Sequence, residues 1–189
     1  LLKDDGNSSD IPFDIELFGN YGVVAISVMT PQAPDAYLLN NAIRNRYPHI
    51  TSVIGGSHPR YYENQVKTLS KDVSFDFIVP QDGWDPILQI VTGSVKRSSE
   101  PTVLSSSRPR LLDLPPPSRP LALMKRYNFK IAGAPAYHTI TALGCPFTCH
   151  FCESGIESVR TFSPDMITQD LKKMSAAHNE LGHGKKAVM

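Results

Sequence analysis

Tyr21-Gly22-Val23-Val24-Ala25-Ile26-Ser27-Val28 is a near-continuous apolar run. Its length and β-branched content suit a strand buried on both faces of a parallel sheet. The residues after it repeat the same plan. Pro34-Asp35-Ala36 opens a helical stretch in which Tyr37, Leu38, Ala42 and Ile43 share a face, ending near Arg46-Tyr47-Pro48. Thr51-Ser52-Val53-Ile54 reads as the next strand, closing on Gly55-Gly56, and Phe75-Asp76-Phe77-Ile78-Val79 as a third. A helix through Ile87, Leu88, Ile90 and Val91 comes after it. Alternating strand and helix predict an α/β fold with an open, parallel, Rossmann-like sheet over residues 1–95.

Ligands of such sheets bind beyond the carboxyl ends of the strands. Three loops are expected at that edge: Ser27-Val28-Met29-Thr30, Gly55-Gly56-Ser57-His58 and Pro80-Gln81-Asp82-Gly83-Trp84. Glycine pairs are common at any tight turn, so Gly55-Gly56 alone does not define a ligand.

The composition changes from Lys96 to Pro120, which is rich in serine, proline and arginine and includes Ser105-Ser106-Ser107 and Pro115-Pro116-Pro117. Prolines exclude a helix interior or central strand, so residues 96–128 read as an extended linker on the surface. Arg108, Arg110 and Arg119 are then solvated or interdomain charges.

Residues 129–189 begin a second unit. Tyr137-His138-Thr139-Ile140-Thr141-Ala142-Leu143 reads as a strand running into Gly144. Ser163-Pro164-Asp165 supplies an N-cap, a proline at the first helical position and an acid in the first turn. Met166, Ile167, Leu171, Met174 and Leu181 recur at helical spacing as a core stripe, and Gly182 is placed to end the helix. Lys185-Lys186-Ala187-Val188-Met189 looks like the start of another strand.

Between that first strand and the capped helix lie all three cysteines of the chain: Gly144-Cys145-Pro146-Phe147-Thr148-Cys149-His150-Phe151-Cys152, a C-x3-C-x2-C spacing. Three thiolates can hold three irons of a [4Fe-4S] cluster and leave the fourth iron open to a small molecule. A structural zinc wants four closed ligands and would need His150, His138 or His178 to complete its shell. A disulfide would leave one cysteine unpaired and strain the short loop.

The loop resembles the cluster motif of the radical S-adenosylmethionine (SAM) superfamily, with Gly144-Cys145-Pro146 in front and the aromatic Phe151 before Cys152. The resemblance implies that Cys145, Cys149 and Cys152 ligate the cluster and that the backbone at Phe151 lies near the SAM adenine. It implies reductive cleavage of SAM to a 5′-deoxyadenosyl radical, with electrons from a donor such as flavodoxin or ferredoxin. The substrate, a small molecule or a peptide, is left open. Residues 129–189 would then be the first β/α unit of a (β/α) barrel, incomplete here. Leu1 in first position suggests a chain also cut at its front.

The three loops of the first unit are similar to those of the cobalamin-binding domain in the B12-dependent branch of that superfamily. On this resemblance Gly55 and Gly56 let the backbone approach a corrin, and Ser27, Thr30 and Ser57 donate to its amide tail. His58 lies near the ring or else at the surface after a glycine turn. Leu111-Leu112-Asp113-Leu114-Pro115 resembles the connector before the barrel. Two departures stand out: Asp82-Gly83-Trp84 replaces the usual Gly-Glu-Gly, and no Asp-x-His-x-x-Gly motif occurs. A cobalamin-dependent methyltransferase is one implied activity, with rearrangement, ring formation and methylthiolation beside it. A second reading keeps the chain out of enzymology, as a receiver-like α/β domain joined to a zinc-binding interaction module.

Composition agrees with a globular chain: 189 residues and 41% hydrophobic content provide for a core, and a net charge of +1 gives no nucleic-acid footprint. No apolar run reaches the length of a membrane span. Leu1-Leu2-Lys3-Asp4-Asp5 is not a signal peptide, and clustered thiols suit a reducing compartment, so the expected location is cytoplasmic.

Overall fold

The structure is a computed structural model, and it describes residues 14–69, 73–106, 110–126, 129–152, 158–182 and 187–188. The chain divides into two compact units, Leu1–Arg108 and Pro109–Met189. The division falls inside the stretch read as a linker.

The first unit is the α/β sheet that the apolar runs predict. Its strands are β1 (Val23–Ser27), β2 (Thr51–Gly55), β3 (Phe77–Val79) and β4 (Thr102–Val103), all parallel and in the spatial order β1-β2-β3-β4. Between them run α1 (Ala33–Arg46), the short α2 (Ser57–Tyr61) and α3 (Glu63–Lys67), and α4 (Trp84–Val91). Strand periodicity of two sends alternate side chains to opposite faces. Ile54 and Ile78 therefore pack with Ala33 and Ala36 of α1 and Val66 of α3, while Val53, Phe77 and Val79 pack with Ile90 of α4. Each face has its own helical cover. Leu39 and Ile43 of α1 meet Ile50 and the half-buried Val24, which fills the amino end of the sheet.

The first strand is shorter than the apolar run, because Tyr21 lies 60% exposed before it. The third begins at Phe77 rather than Phe75. There the Asp76 carboxylate accepts from the Ser52 N–H at 2.8 Å and pairs with Arg44 and Arg97, so this register point is held by a side chain.

The serine- and proline-rich stretch is more structured than a surface linker. Thr102 and Val103 form β4 at the sheet edge, where a proline-flanked strand is tolerated. Leu111 in a short 3-10 turn (Leu111–Asp113) and Met124 in α5 (Leu121–Met124) are each 2% exposed. Apolar residues spaced between the prolines pull the chain inward. Arg119 is not a solvated charge either: its side chain is 12% exposed and paired with Asp170.

In the second unit, β5 (Lys130–Ile131) and β6 (Ala134–Tyr137) pair antiparallel, and β6 pairs in parallel with β9 (Ala187–Val188). Between β6 and β9 lie β7 (Ala142–Leu143), its antiparallel partner β8 (Arg160–Thr161), and helix α6 (Pro164–Glu180). β6, α6 and β9 thus make one strand-helix-parallel-strand unit. No barrel is formed among the described residues.

The expected strand over residues 137–143 is broken. The His138 carbonyl accepts from Arg119 Nη2 and the Thr139 hydroxyl donates to Asp170, which takes the chain out of the ladder before β7. Helix α6 starts as the sequence predicts, with the Ser163 hydroxyl accepting from the Met166 N–H at 3.1 Å and Pro164 in the first turn. It stops at Gly182, whose φ of +70° favours glycine. Its buried face is rotated from the predicted stripe. Asp170, Met174, Ala177 and His178 are buried, whereas Leu171 is 37% exposed.

Candidate functional site

Two places carry the chemistry that the sequence points to, one in each unit. In the first, Ser27, Gly55 and Val79 end neighbouring strands, so the three predicted loops share the carboxyl edge of the sheet. Loops one and two are stitched together: the Val28 N–H donates to the Gly55 carbonyl at 2.9 Å, and the His58 N–H donates to the Val28 carbonyl at 2.9 Å.

Gly56 makes that approach possible. Its φ of +91° and ψ of −167° lie in a region that side chains avoid. A Cβ there would come within 2.6 Å of the Val28 nitrogen and 2.7 Å of the Val28 oxygen. The glycine is required by loop packing, whatever binds above it.

His58 is buried, which corrects its reading as a surface residue after a turn. It is 5% exposed, with Nε2 at 2.6 Å from the Tyr37 hydroxyl, Nδ1 at 3.3 Å from Thr30 Oγ1, and its ring stacked on Tyr62. Burial disfavours its charged form and lowers its pKa, and burial likewise raises the pKa of Tyr37. Both therefore stand neutral at pH 7. Ser27, Thr30 and Ser57 are exposed at the same edge, and the exposed apolar side chains of Met29 and Trp84 belong to the first and third of these loops. The edge offers hydroxyls and apolar surface to a ligand. A corrinoid recognised through its amide rim fits that donor set, and one held by a His58–cobalt bond does not, since both ring nitrogens already have partners.

The four described strands run in sequential order, so no reversal of strand order marks a crevice between them. Gln81-Asp82-Gly83 leads instead into α4, with the Gly83 carbonyl accepting from the Ile87 N–H at 3.0 Å.

In the second unit, the cysteines lie on an excursion closed at its base by the pairing of Leu143 with Arg160 and of Ala142 with Thr161. Gly144, at φ +90°, turns the chain out of β7. Cys145 is half-buried, Cys149 and Cys152 are exposed, and all three are free thiols. The Cys152 N–H donates to the Cys149 carbonyl at 3.0 Å, closing one turn between the last two. Phe151 is 92% exposed and Phe147 68%.

The donor chemistry fits a soft metal centre: three cysteines without a disulfide on one exposed loop. Their described positions do not gather them, because no group of three or more cysteine, histidine, aspartate or glutamate side chains among the described residues is arranged to hold a metal ion. Of the histidines that a zinc shell would recruit, His150 is exposed on the loop itself, and the other two are otherwise placed. His178 is 1% exposed with Nδ1 at 3.1 Å from the Tyr137 hydroxyl, and His138 stands edge-on to Phe129 at 4.9 Å.

The second unit also holds an ion pair that the sequence does not announce. Arg119 donates from Nε and Nη2 to the two oxygens of Asp170 at 2.9 and 2.8 Å, and the Thr139 hydroxyl adds a third bond at 3.0 Å. The arginine's hydrogen bonds hold the Asp170 carboxyl below the usual carboxylate range, with Thr139 assisting against the opposing effect of burial. A charged residue one turn before Met174, on the buried face of α6, was the available signal.

No protein-family model matches the chain. It is similar to an uncharacterized methyltransferase of Pyrococcus horikoshii, 26% identical over 196 residues that cover 96% of this chain and 42% of the relative. The chain therefore spans less than half the length of that curated relative. Among the described residues, no helix is long and apolar enough to cross a membrane.

Proposed function

We propose that this chain belongs to a methyl-transferring enzyme of the radical SAM type. In this reading Cys145, Cys149 and Cys152 hold a [4Fe-4S] cluster, and the carboxyl edge of the first unit receives a corrinoid. The observation that carries the proposal is the set of three free thiols at C-x3-C-x2-C spacing on one excursion, with its stems paired at β7 and β8. The likeness to a methyltransferase supports methyl transfer as the outcome.

When bound, the cluster supplies the electron that cleaves SAM. The chain's own residues bind and shelter. The three thiolates would hold the metal centre and leave one iron open to SAM. Phe147 and Phe151 supply apolar cover, which excludes water from a bound adenine. At the other site Ser27, Thr30 and Ser57 supply hydroxyl donors to a corrin's amides. No described residue is assigned to the substrate.

Anaerobic reconstitution with iron and sulfide tests the ligand set. The wild-type chain is expected to take up about four irons and four sulfides. Each of Cys145→Ala, Cys149→Ala and Cys152→Ala is expected to lose most of them. Stoichiometric zinc with no iron retention would overturn the assignment in favour of a zinc-binding module.

A further inference from the structure

The edge of the first sheet contains a hydrogen-bond chain that joins Tyr37, His58 and Thr30. O–H donors make shorter bonds than N–H donors, typically about 2.5–3.0 Å against about 2.7–3.2 Å between heavy atoms. The contact between the Tyr37 hydroxyl and His58 Nε2 is 2.6 Å, and that between His58 Nδ1 and Thr30 Oγ1 is 3.3 Å. The short contact suits a phenol donating to a ring nitrogen. The second, at 3.3 Å, lies beyond both ranges and takes its direction from the first.

A neutral imidazole carries one proton, so fixing Nε2 as acceptor places that proton on Nδ1. Tyr37 comes from α1, Thr30 from the first loop and His58 from α2, and the ring is held flat by the stacked Tyr62 at 5.3 Å between centroids. With its ring buried, His58 has little room to exchange these roles through water.

We propose that Tyr37 and His58 are positioning residues for Thr30. Tyr37 donates to His58 Nε2, His58 Nδ1–H donates to Thr30 Oγ1, and Thr30 directs its own proton outward to a carbonyl oxygen of a ligand on the sheet edge. The ligand class rests on the corrinoid reading above: the amide carbonyls on a corrin's rim are acceptors of the required kind. Thr30 is the contacting residue, and its exposed position gives it access. The bond from His58 occupies the acceptor side of its hydroxyl and leaves the donor free to point away. The same chain explains why a histidine sits at this edge without serving as a metal ligand.

Two measurements on the full chain test this. Long-range proton–nitrogen NMR of the ligand-free protein is expected to show His58 as the Nδ1–H tautomer in the wild type, and as a mixture in Tyr37→Phe. An Nε2–H tautomer in the wild type would overturn the chain of bonds whatever binds. Titration with hydroxocobalamin, followed by absorbance, is expected to bind about five- to tenfold more weakly to Thr30→Val, the effect of one lost hydrogen bond. Thr30→Ser is expected to restore binding, and Tyr37→Phe to weaken it about two- to fivefold. Wild-type binding that Thr30→Val leaves unchanged would overturn the role of Thr30. A wild type with the Nδ1–H tautomer and no uptake of hydroxocobalamin would overturn the ligand assignment, and with it the corrinoid half of the proposed function, while leaving the cluster reading to its own test.

Discussion

Replacing Arg119 with methionine would strand the carboxylate of Asp170, which is 1% exposed, with the Thr139 hydroxyl as its remaining bond among the three described. Arg119 supplies the other two, at 2.9 and 2.8 Å, in the bidentate geometry that makes such pairs strong. Removing one partner of a buried ion pair costs about 3–5 kcal/mol, mostly as the penalty of the charge left behind. Against a typical domain stability of about 5–15 kcal/mol, that is a large share. Hydrogen exchange of the α6 amides is the assay, since Asp170 lies inside that helix. Exchange at pH 7 is expected to quicken by about a hundredfold or more, at 1.4 kcal/mol per factor of ten.

The pH dependence has a definite sign. A carboxyl whose folded pKa is depressed contributes stability above its unfolded value, about 3.9, and loses it as pH falls through the folded value. The difference between Arg119→Met and wild type should therefore be full at neutral pH and shrink below about pH 4. Adding Asp170→Leu to Arg119→Met removes the stranded charge and is expected to recover most of the loss. Equal α6 exchange in wild type and Arg119→Met, or a loss as large at pH 3 as at pH 7, would rule out a stranded Asp170 charge.

Gly56→Ala is expected to destabilise the first unit by about 2–3 kcal/mol, from its backbone region and the contact with Val28, read as a lower urea midpoint of Trp84 fluorescence. Ser163→Ala removes the cap bond to the Met166 N–H and should cost about 1 kcal/mol, seen as faster exchange in the first turn of α6. Met174→Ala empties a fully buried position beside Met124 and Tyr137, with an expected loss of about 2–5 kcal/mol in denaturant unfolding.

Apolar periodicity made the first sheet legible because Val53 and Ile54, one residue apart, each bury on an opposite face beneath a different helix. A run of that kind has few other solutions. The cap at Ser163 and the stop at Gly182 were legible for a similar reason, since each residue satisfies a local backbone need. What escaped depends on contacts distant in sequence. Nothing near Arg119 announces Asp170, and without that pair the proline-rich stretch reads as solvated and residues 137–143 read as one strand. Tyr37 reads as a helix-face residue until the fold brings it to His58. The cysteine spacing, by contrast, identifies a donor set without fixing its geometry. The thiols lie on an exposed loop, where few packing constraints determine position.

The role proposed for Cys145, Cys149 and Cys152 is to hold a cluster with one iron open to SAM. Its most direct test is electron paramagnetic resonance of the anaerobically reconstituted, reduced chain before and after adding SAM. A [4Fe-4S] signal whose shape shifts on addition of SAM is expected; a protein that retains no iron, or a cluster signal indifferent to SAM, would rule that role out.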